Sequence, residues 1–332
     1  MFRFRSEQAA SLPHGSVLGR REFLAASAAV GAGWLFAPQL EAATRKTTLR
    51  KAMIGDPGRE ILEQWKAAGF QGMESRRWDI SPAEAAGFRK TAESLGMRIH
   101  SVLYGWANMN KGDATMAADL VKIETALRAA QGYGADTLLL VPCRINVKPT
   151  PEPWEFDLRF DPKTGHLRQV VAGDNAKYQK YIDAHNHAVD TSREGVSRLI
   201  PIAEKTGVVL ALENVWNNLW VKPDFFANFV ASFQSPSVQA YFDIGNHVQY
   251  APSQDWIRAL GKLLVKCHVK DFKLGPNRRG GNFCQIRDGS VDWPAVRQAL
   301  DEVGYRGWMT IESGKLSPEE LSKRLDLILA GK

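Results

Sequence analysis

The chain has 332 residues, of which 44% are hydrophobic and 24% charged, and carries a formal net charge of +7. These are the proportions of an ordinary folded globule and exclude a disordered or low-complexity chain. Lys and Arg are scattered rather than gathered into a stripe, so the positive excess does not point to nucleic acid. Cys143, Cys267 and Cys284 lie far apart with no C-x-x-C pair, which argues against a disulfide framework and a thiolate zinc site.

Residues 1–43 read as an address. Arg3, Arg5 and the pair Arg20-Arg21 precede a short apolar run, Phe23 to Ala37, and small residues follow at Leu40-Glu41-Ala42-Ala43. A basic start, an apolar middle and a small-residue end make an export signal, and the paired arginines resemble the twin-arginine type. The apolar run is shorter than the ~20 residues of a membrane-spanning helix, although a retained anchor is the alternative. The expectation is a signal peptide over 1–43, a catalytic domain over 44–332, a periplasmic or secreted location, and no membrane association after cleavage.

From Thr48 onward short apolar strands alternate with longer amphipathic stretches, the rhythm of βαβ units. Strands are expected at Leu49–Ile54, Phe70–Glu74, Arg98–Tyr104 and Thr137–Val141, with Ser81-Pro82 opening the helix after the second. Residues 144–176 interrupt the rhythm. They read as a hairpin, Trp154–Phe160 and His166–Val171 about a turn at 161–165, inserted after strand four as a lid, a binding element or a packing arm. A long helix near Tyr178–Lys205 then leads to strands at Val208–Asn214, Val238–Asn246, Leu263–Asp271 and Trp308–Glu312. Helices begin near Pro223, Gln254, Pro294 and Ser317. Eight such units predict an α/β fold, a (β/α)8 TIM barrel, with an open doubly wound sheet as the alternative. No G-x-G-x-x-G follows the first strand, which removes the dinucleotide-binding version of that alternative.

The active site of such a barrel lies where its strands end. Strand two ends in Glu74, strand five in Glu213-Asn214, strand six in Asp243 with Asn246 and His247 beyond, strand seven in His268, and strand eight in Glu312. A single strand-end carboxylate more often caps a helix or pairs with a Lys; the set at matching positions carries the reading. Three carboxylates converging in one mouth repel each other unless a cation sits among them. One divalent metal held by Glu213, Asp243, His268 and Glu312 is therefore expected. Oxygen ligands with one imidazole suit Mn, Mg or Co better than structural zinc, with Zn and Fe as alternatives.

On Leu210-Ala211-Leu212-Glu213-Asn214, Phe242-Asp243-Ile244-Gly245-Asn246, Val265-Lys266-Cys267-His268-Val269-Lys270-Asp271, Asp288–Trp293 and Gly304–Glu312, the chain resembles the xylose isomerase-like barrel superfamily. The likeness covers residues 48–330 and is strongest to sugar isomerases and epimerases of the D-tagatose 3-epimerase and hydroxypyruvate isomerase kind. It implies the same four metal ligands, with Glu213 and Glu312 as the acid/base pair. Two departures weaken the 3-epimerase substrate contacts: Asn246 stands where those enzymes carry a His, and Leu219 where they carry a second Glu.

The residues support the same chemistry by themselves. A metal chelating a carbonyl and the neighbouring hydroxyl lowers the cost of removing the proton between them, because the enediolate is held as a charged ligand. Glu213 and Glu312 are expected on opposite sides of that carbon, one removing the proton and one returning it. Lys270, His247, Asn246, His100 and Glu74 are candidates for orienting substrate hydroxyls. Trp78, Trp106, Trp154, Trp216 and Trp220 fall in connections after strands, where flat aromatic faces suit sugar rings. Arg278 and Arg279 could hold a phosphate or carboxylate, although export favours an unphosphorylated keto sugar or glycoside. The expected partner is thus a small sugar or glycoside, not nucleic acid, and a homo-oligomer is left open. The rival readings are a metal-dependent lyase or deglycosidase on a keto-glycoside and a non-catalytic sugar-binding protein. An endonuclease-like barrel, which requires several His-rich metal positions, fits poorly with seven His in the chain.

Overall fold

The computed structural model describes residues 47–312 and 314–332; the expected signal peptide lies outside the described residues. In chain order the elements are β1 (Arg50–Gly55), α1 (Arg59–Ala67), β2 (Gly72–Ser75), α2 (Pro82–Ser94), β3 (Arg98–Trp106), α3 (Asp113–Tyr133), β4 (Thr137–Val141), β5 (Phe156–Phe160), β6 (Leu167–Val171), α4 (Gln179–Thr206), β7 (Val209–Glu213), α5 (Pro223–Ala231), β8 (Val238–Asp243), α6 (Ser253–Leu260), β9 (Leu264–Val269), β10 (Asp271–Leu274), β11 (Gly281–Cys284), α7 (Trp293–Glu302), β12 (Trp308–Ile311) and α8 (Pro318–Leu329). Eight strands close a parallel barrel in the order β1-β12-β9-β8-β7-β4-β3-β2.

The sequence pattern explains the layering. Every residue of β4 is buried, as both faces of a parallel barrel strand must be. Leu138 and Leu140 join the large apolar cluster shared with the surrounding helices. Leu139 and Val141 instead meet Ala211 and Tyr241 in a small cluster on the opposite face of the sheet, the barrel interior. Polar caps fix where helices start. Ser81 accepts from the Glu84 backbone N–H at 3.1 Å, and Asp292 from that of Ala295 at 3.0 Å; each is followed within two residues by Pro82 or Pro294, whose missing N–H costs nothing in a first turn.

Two antiparallel hairpins leave the barrel. One pairs β5 with β6 in the long connection after β4. The other pairs β10 with β11 and differs from the expectation of one strand running through Asp271. β9 stops at Val269, and the chain turns outward because the Asp271 carboxylate collects a loop. It accepts from the backbone N–H groups of Phe272, Arg287, Gly289 and Val291 and from the Trp293 indole. No described helix is long and apolar enough to cross a membrane.

Candidate active site

Glu213 and Asp243 are the last residues of β7 and β8, His268 is the penultimate residue of β9, and Glu312 immediately follows β12. Asp243 and His268 are partners across the β8–β9 ladder. The structure brings the four side chains together, each offering one ligand atom, with all four atoms within 4.8 Å of one another. Because β8 and β9 lie between β7 and β12 in the barrel order, Glu213 and Glu312 approach the cluster from its two sides.

Each side chain is aimed by a neighbour. Asp243 Oδ1 accepts from the backbone N–H groups of Gly245 (2.8 Å) and Asn246 (2.7 Å), which turns Oδ2 to the centre. Asn214 ties β7 to β8 by accepting from the Asp243 N–H at 2.6 Å and donating to its carbonyl at 2.9 Å. Gly245 is required by close approach: a Cβ there would lie 2.7 Å from the Lys270 carbonyl oxygen. His268 Nδ1 faces Glu213 Oε1 (3.2 Å) and Glu312 Oε2 (3.7 Å), while Nε2 faces Glu74 Oε1 at 3.0 Å. The second Glu74 oxygen accepts from the hydroxyls of Ser101 and Tyr241. A carboxylate on one ring nitrogen leaves the other directed at the cluster, the arrangement in which a metal-binding His is usually held.

The electrostatics are those of crowded carboxylates. Burial pushes Asp243 well above the usual carboxylate range and raises Glu213. Burial would also raise Glu312, but His268, Asp243 and Lys270 together pull it down to about 2. For His268, burial favours the neutral ring, yet the charges of Glu74, Glu213 and Glu312 outweigh it and raise the pKa well above normal. The Lys270 ammonium touches Glu312, lies 3.3 Å from Asp243 Oδ2, and donates to Asn246 Oδ1 at 3.2 Å. Asp243 Oδ2 and Glu312 Oε2 nevertheless remain buried without a well-directed hydrogen bond. These two buried carboxylate oxygens, balanced only by the Lys270 ammonium and set beside an imidazole nitrogen and a third carboxylate, form a donor set that fits a divalent cation.

An aromatic wall rises beside Lys270. Its ammonium sits 5.0 Å from the Phe283 ring centre; Trp216 packs on Phe283 at 5.1 Å and on Phe272 at 5.6 Å, and its indole N–H donates to the Asn246 carbonyl. Trp216 and Phe283 stay 38% and 45% exposed, enough to offer a sugar an apolar face. Phe272 and Phe283 escaped sequence reasoning because their hairpin strands are only four residues long; the Gly280-Gly281 turn between two aromatics was the available signal.

Other expected substrate contacts are placed elsewhere. Glu74 is fully buried and spends both oxygens inside the barrel, so it positions His268 instead of reaching a substrate. His100, near the start of β3, stacks on Trp308 at the start of β12 and meets Thr310 Oγ1 at 3.1 Å; it is fully buried among these partners, and burial drives its pKa well down. His247 donates away from the cluster, to the Val215 carbonyl, and packs on Trp256 and Tyr250. Trp220 is core, against Phe226 and Phe229. Asn246 and Lys270 do reach the cluster, and Trp106 stays exposed beneath the Arg144 guanidinium at 4.0 Å.

Among curated proteins the chain is 24% identical over 143 residues to the uncharacterized protein MJ1311 of Methanocaldococcus jannaschii, a match covering 41% of this chain and 47% of that relative. Its fold is similar to that of a xylose isomerase domain protein from Planctomyces limnophilus, with TM-score 0.63 and 16% identity over 86% of this chain and 97% of that one. It is similar also to a 3-keto-D-glucoside 4-epimerase from E. coli, with TM-score 0.59 and 14% identity over 85% and 99% of the two chains. A D-tagatose 3-epimerase-like protein gives TM-score 0.63 and 17% identity over 84% and 98%. The profile of the xylose isomerase-like TIM barrel family matches residues 62–328, and this chain belongs to that family.

Proposed function

We propose that this protein is a divalent-metal-dependent sugar isomerase or epimerase that moves a proton on the carbon beside a carbonyl. The observation that carries the reading is the convergence of Glu213, Asp243, His268 and Glu312 from four adjacent strand ends onto one centre. Glu213, Asp243, His268 and Glu312 would hold the metal, which would polarise the substrate carbonyl as a Lewis acid, and manganese is the best match to the donor set. Glu213 and Glu312, on two sides of the cluster, exchange the proton, one accepting it and the other returning it. Lys270 places a positive charge where negative charge develops on the substrate oxygens. Trp216 and Phe283 offer a platform for the sugar ring, and Glu74 keeps His268 in one orientation.

The substrate class we favour is a keto sugar or keto-glycoside whose reacting unit is unphosphorylated, taken up by an exported enzyme. The support is the arginine pair and small-residue end of the leader sequence, together with the likeness to a fold carried by a keto-glucoside epimerase. The test is proton NMR of free ketoses and of a 3-keto-glucoside incubated in D2O with protein and Mn, with and without chelator. Chelator-sensitive conversion to an isomeric sugar supports the proposal; release of the aglycone instead identifies a lyase.

A further inference from the structure

A second concavity lies beyond the metal cluster, and the chemistry above makes no use of its lining. Its volume is about 650 Å³, within the range of small-molecule sites. Trp154, from the connection after β4, forms one wall; Gln249 and Tyr250, just past the end of β8, form another; Leu274, Arg278 and Arg279 of the β10–β11 hairpin close the third. This hairpin connects the two places. Phe283 at its root packs on Trp216 beside Lys270, and the arginines stand at its tip, past the four residues of β10, on the order of 10 Å away at the rise of a strand.

Charge and shape identify the occupant. Among the described residues neither Arg278 nor Arg279 has a carboxylate partner. Other exposed arginines divide on this point: Arg77, Arg89, Arg128 and Arg258 are each paired with a Glu, whereas Arg50, Arg144, Arg159 and Arg287 are not, so what distinguishes Arg278 and Arg279 is their place beside aromatic rings in one groove. Glu152 stands near enough to Tyr250 to help burial raise its hydroxyl to about 12, yet pairs with neither guanidinium. The Arg279 guanidinium lies 5.3 Å from the ring centre of Trp154, which is 42% exposed. An exposed indole and a phenol ring beside two unpaired guanidinium forks suit a sugar that carries an anionic group, since aromatic faces take the ring and a fork takes two oxygens at once.

We propose that this groove is a subsite for a second, anionic sugar unit, bearing a carboxylate or a phosphate, linked to the unit that reacts at the metal cluster. The proposal rests on the sugar-isomerase reading above. It is tested by calorimetric titration of the metal-loaded protein with cellobiose, cellobiouronic acid and cellobiose 6′-phosphate. One anionic disaccharide is expected to bind at least about tenfold tighter than cellobiose, the size of a charge-assisted hydrogen bond. Salt should shrink the advantage, R278A/R279A should abolish it, and Trp154→Ala should weaken all three ligands. Preference for the uronate identifies a carboxylate, preference for the ester a phosphate. Equal affinity for the three sugars, no binding by any of them, or a preference that survives R278A/R279A overturns the subsite. Proton exchange in free ketoses reports on the isomerase reading separately: exchange without anionic preference removes the subsite alone, and preference without exchange removes the isomerase alone.

Discussion

Replacing Glu74 by Gln tests whether the carboxylate behind His268 tunes the metal site. Glu74 is 0% exposed, with Oε1 at 3.0 Å from His268 Nε2 and the other oxygen held by Ser101 and Tyr241. Gln keeps the shape but not the charge. Its amide oxygen can face Nε2–H while the two hydroxyls turn to accept from its NH2, so no buried group is orphaned and the barrel should fold. What is lost is a charge-assisted hydrogen bond, replaced by a neutral one, a difference of about 1–1.5 kcal/mol. That corresponds to roughly a tenfold loss of affinity, at the lower end of the 10- to 100-fold known for carboxylates behind metal-binding histidines. The assay is Mn binding by calorimetry, with circular dichroism to verify the fold. E74Q should bind one ion about tenfold more weakly than the parent protein. Unchanged affinity in a folded variant would refute the role assigned to Glu74.

Acid should destabilise the protein through His185, which is buried in α4 and donates from Nε2 to the Leu219 carbonyl at 2.9 Å. Burial lowers its pKa to about 4. Since this lies below the unfolded value near 6.5, the unfolded chain takes up the proton first, and stability falls as pH drops from about 6.5 toward 4. At pH 5 the loss is about 2 kcal/mol, and His185→Gln should flatten that part of the urea-denaturation profile; an unchanged acid limb contradicts the assignment. Asp271→Ala removes the acceptor of four backbone N–H groups and one indole. It should cost about 3 kcal/mol in urea denaturation, and a change within measurement error would show that the loop does not depend on it.

The fold and the convergence of the candidate metal ligands were legible because both follow from repeating rules. Apolar strands buried on both faces and capped helices give the eight-unit rhythm, and the barrel collects side chains at the strand ends, so Glu213, Asp243, His268 and Glu312 could be read as a set. Which way an interior side chain turns was not legible. Glu74 and His100 sit on strands as the ligands do, but Glu74 turns inward to a histidine from a distant strand, and His100 stands near the start of its strand instead of the end. Register and strand length decide this, and neither is visible in a stretch such as Arg98–Trp106. Asp271 misled for a related reason: an apolar run that ends in a polar residue reads as one strand running through it, whereas here the strand stops at Val269 and Asp271 gathers loop N–H groups contributed from as far on as Trp293.

Glu213 and Glu312 are proposed to move a proton on a sugar carbon. The most direct measurement is solvent deuterium uptake by free ketoses and keto-glycosides with Mn present, comparing the parent protein with Glu213→Gln and Glu312→Gln. Uptake is expected at one carbon with the parent protein, with a loss of about 10²- to 10⁴-fold in each variant, the usual contribution of general acid/base transfer, while sugar binding persists. Sugar and metal binding without detectable uptake by the parent protein would contradict it and leave a binding protein in place of an enzyme.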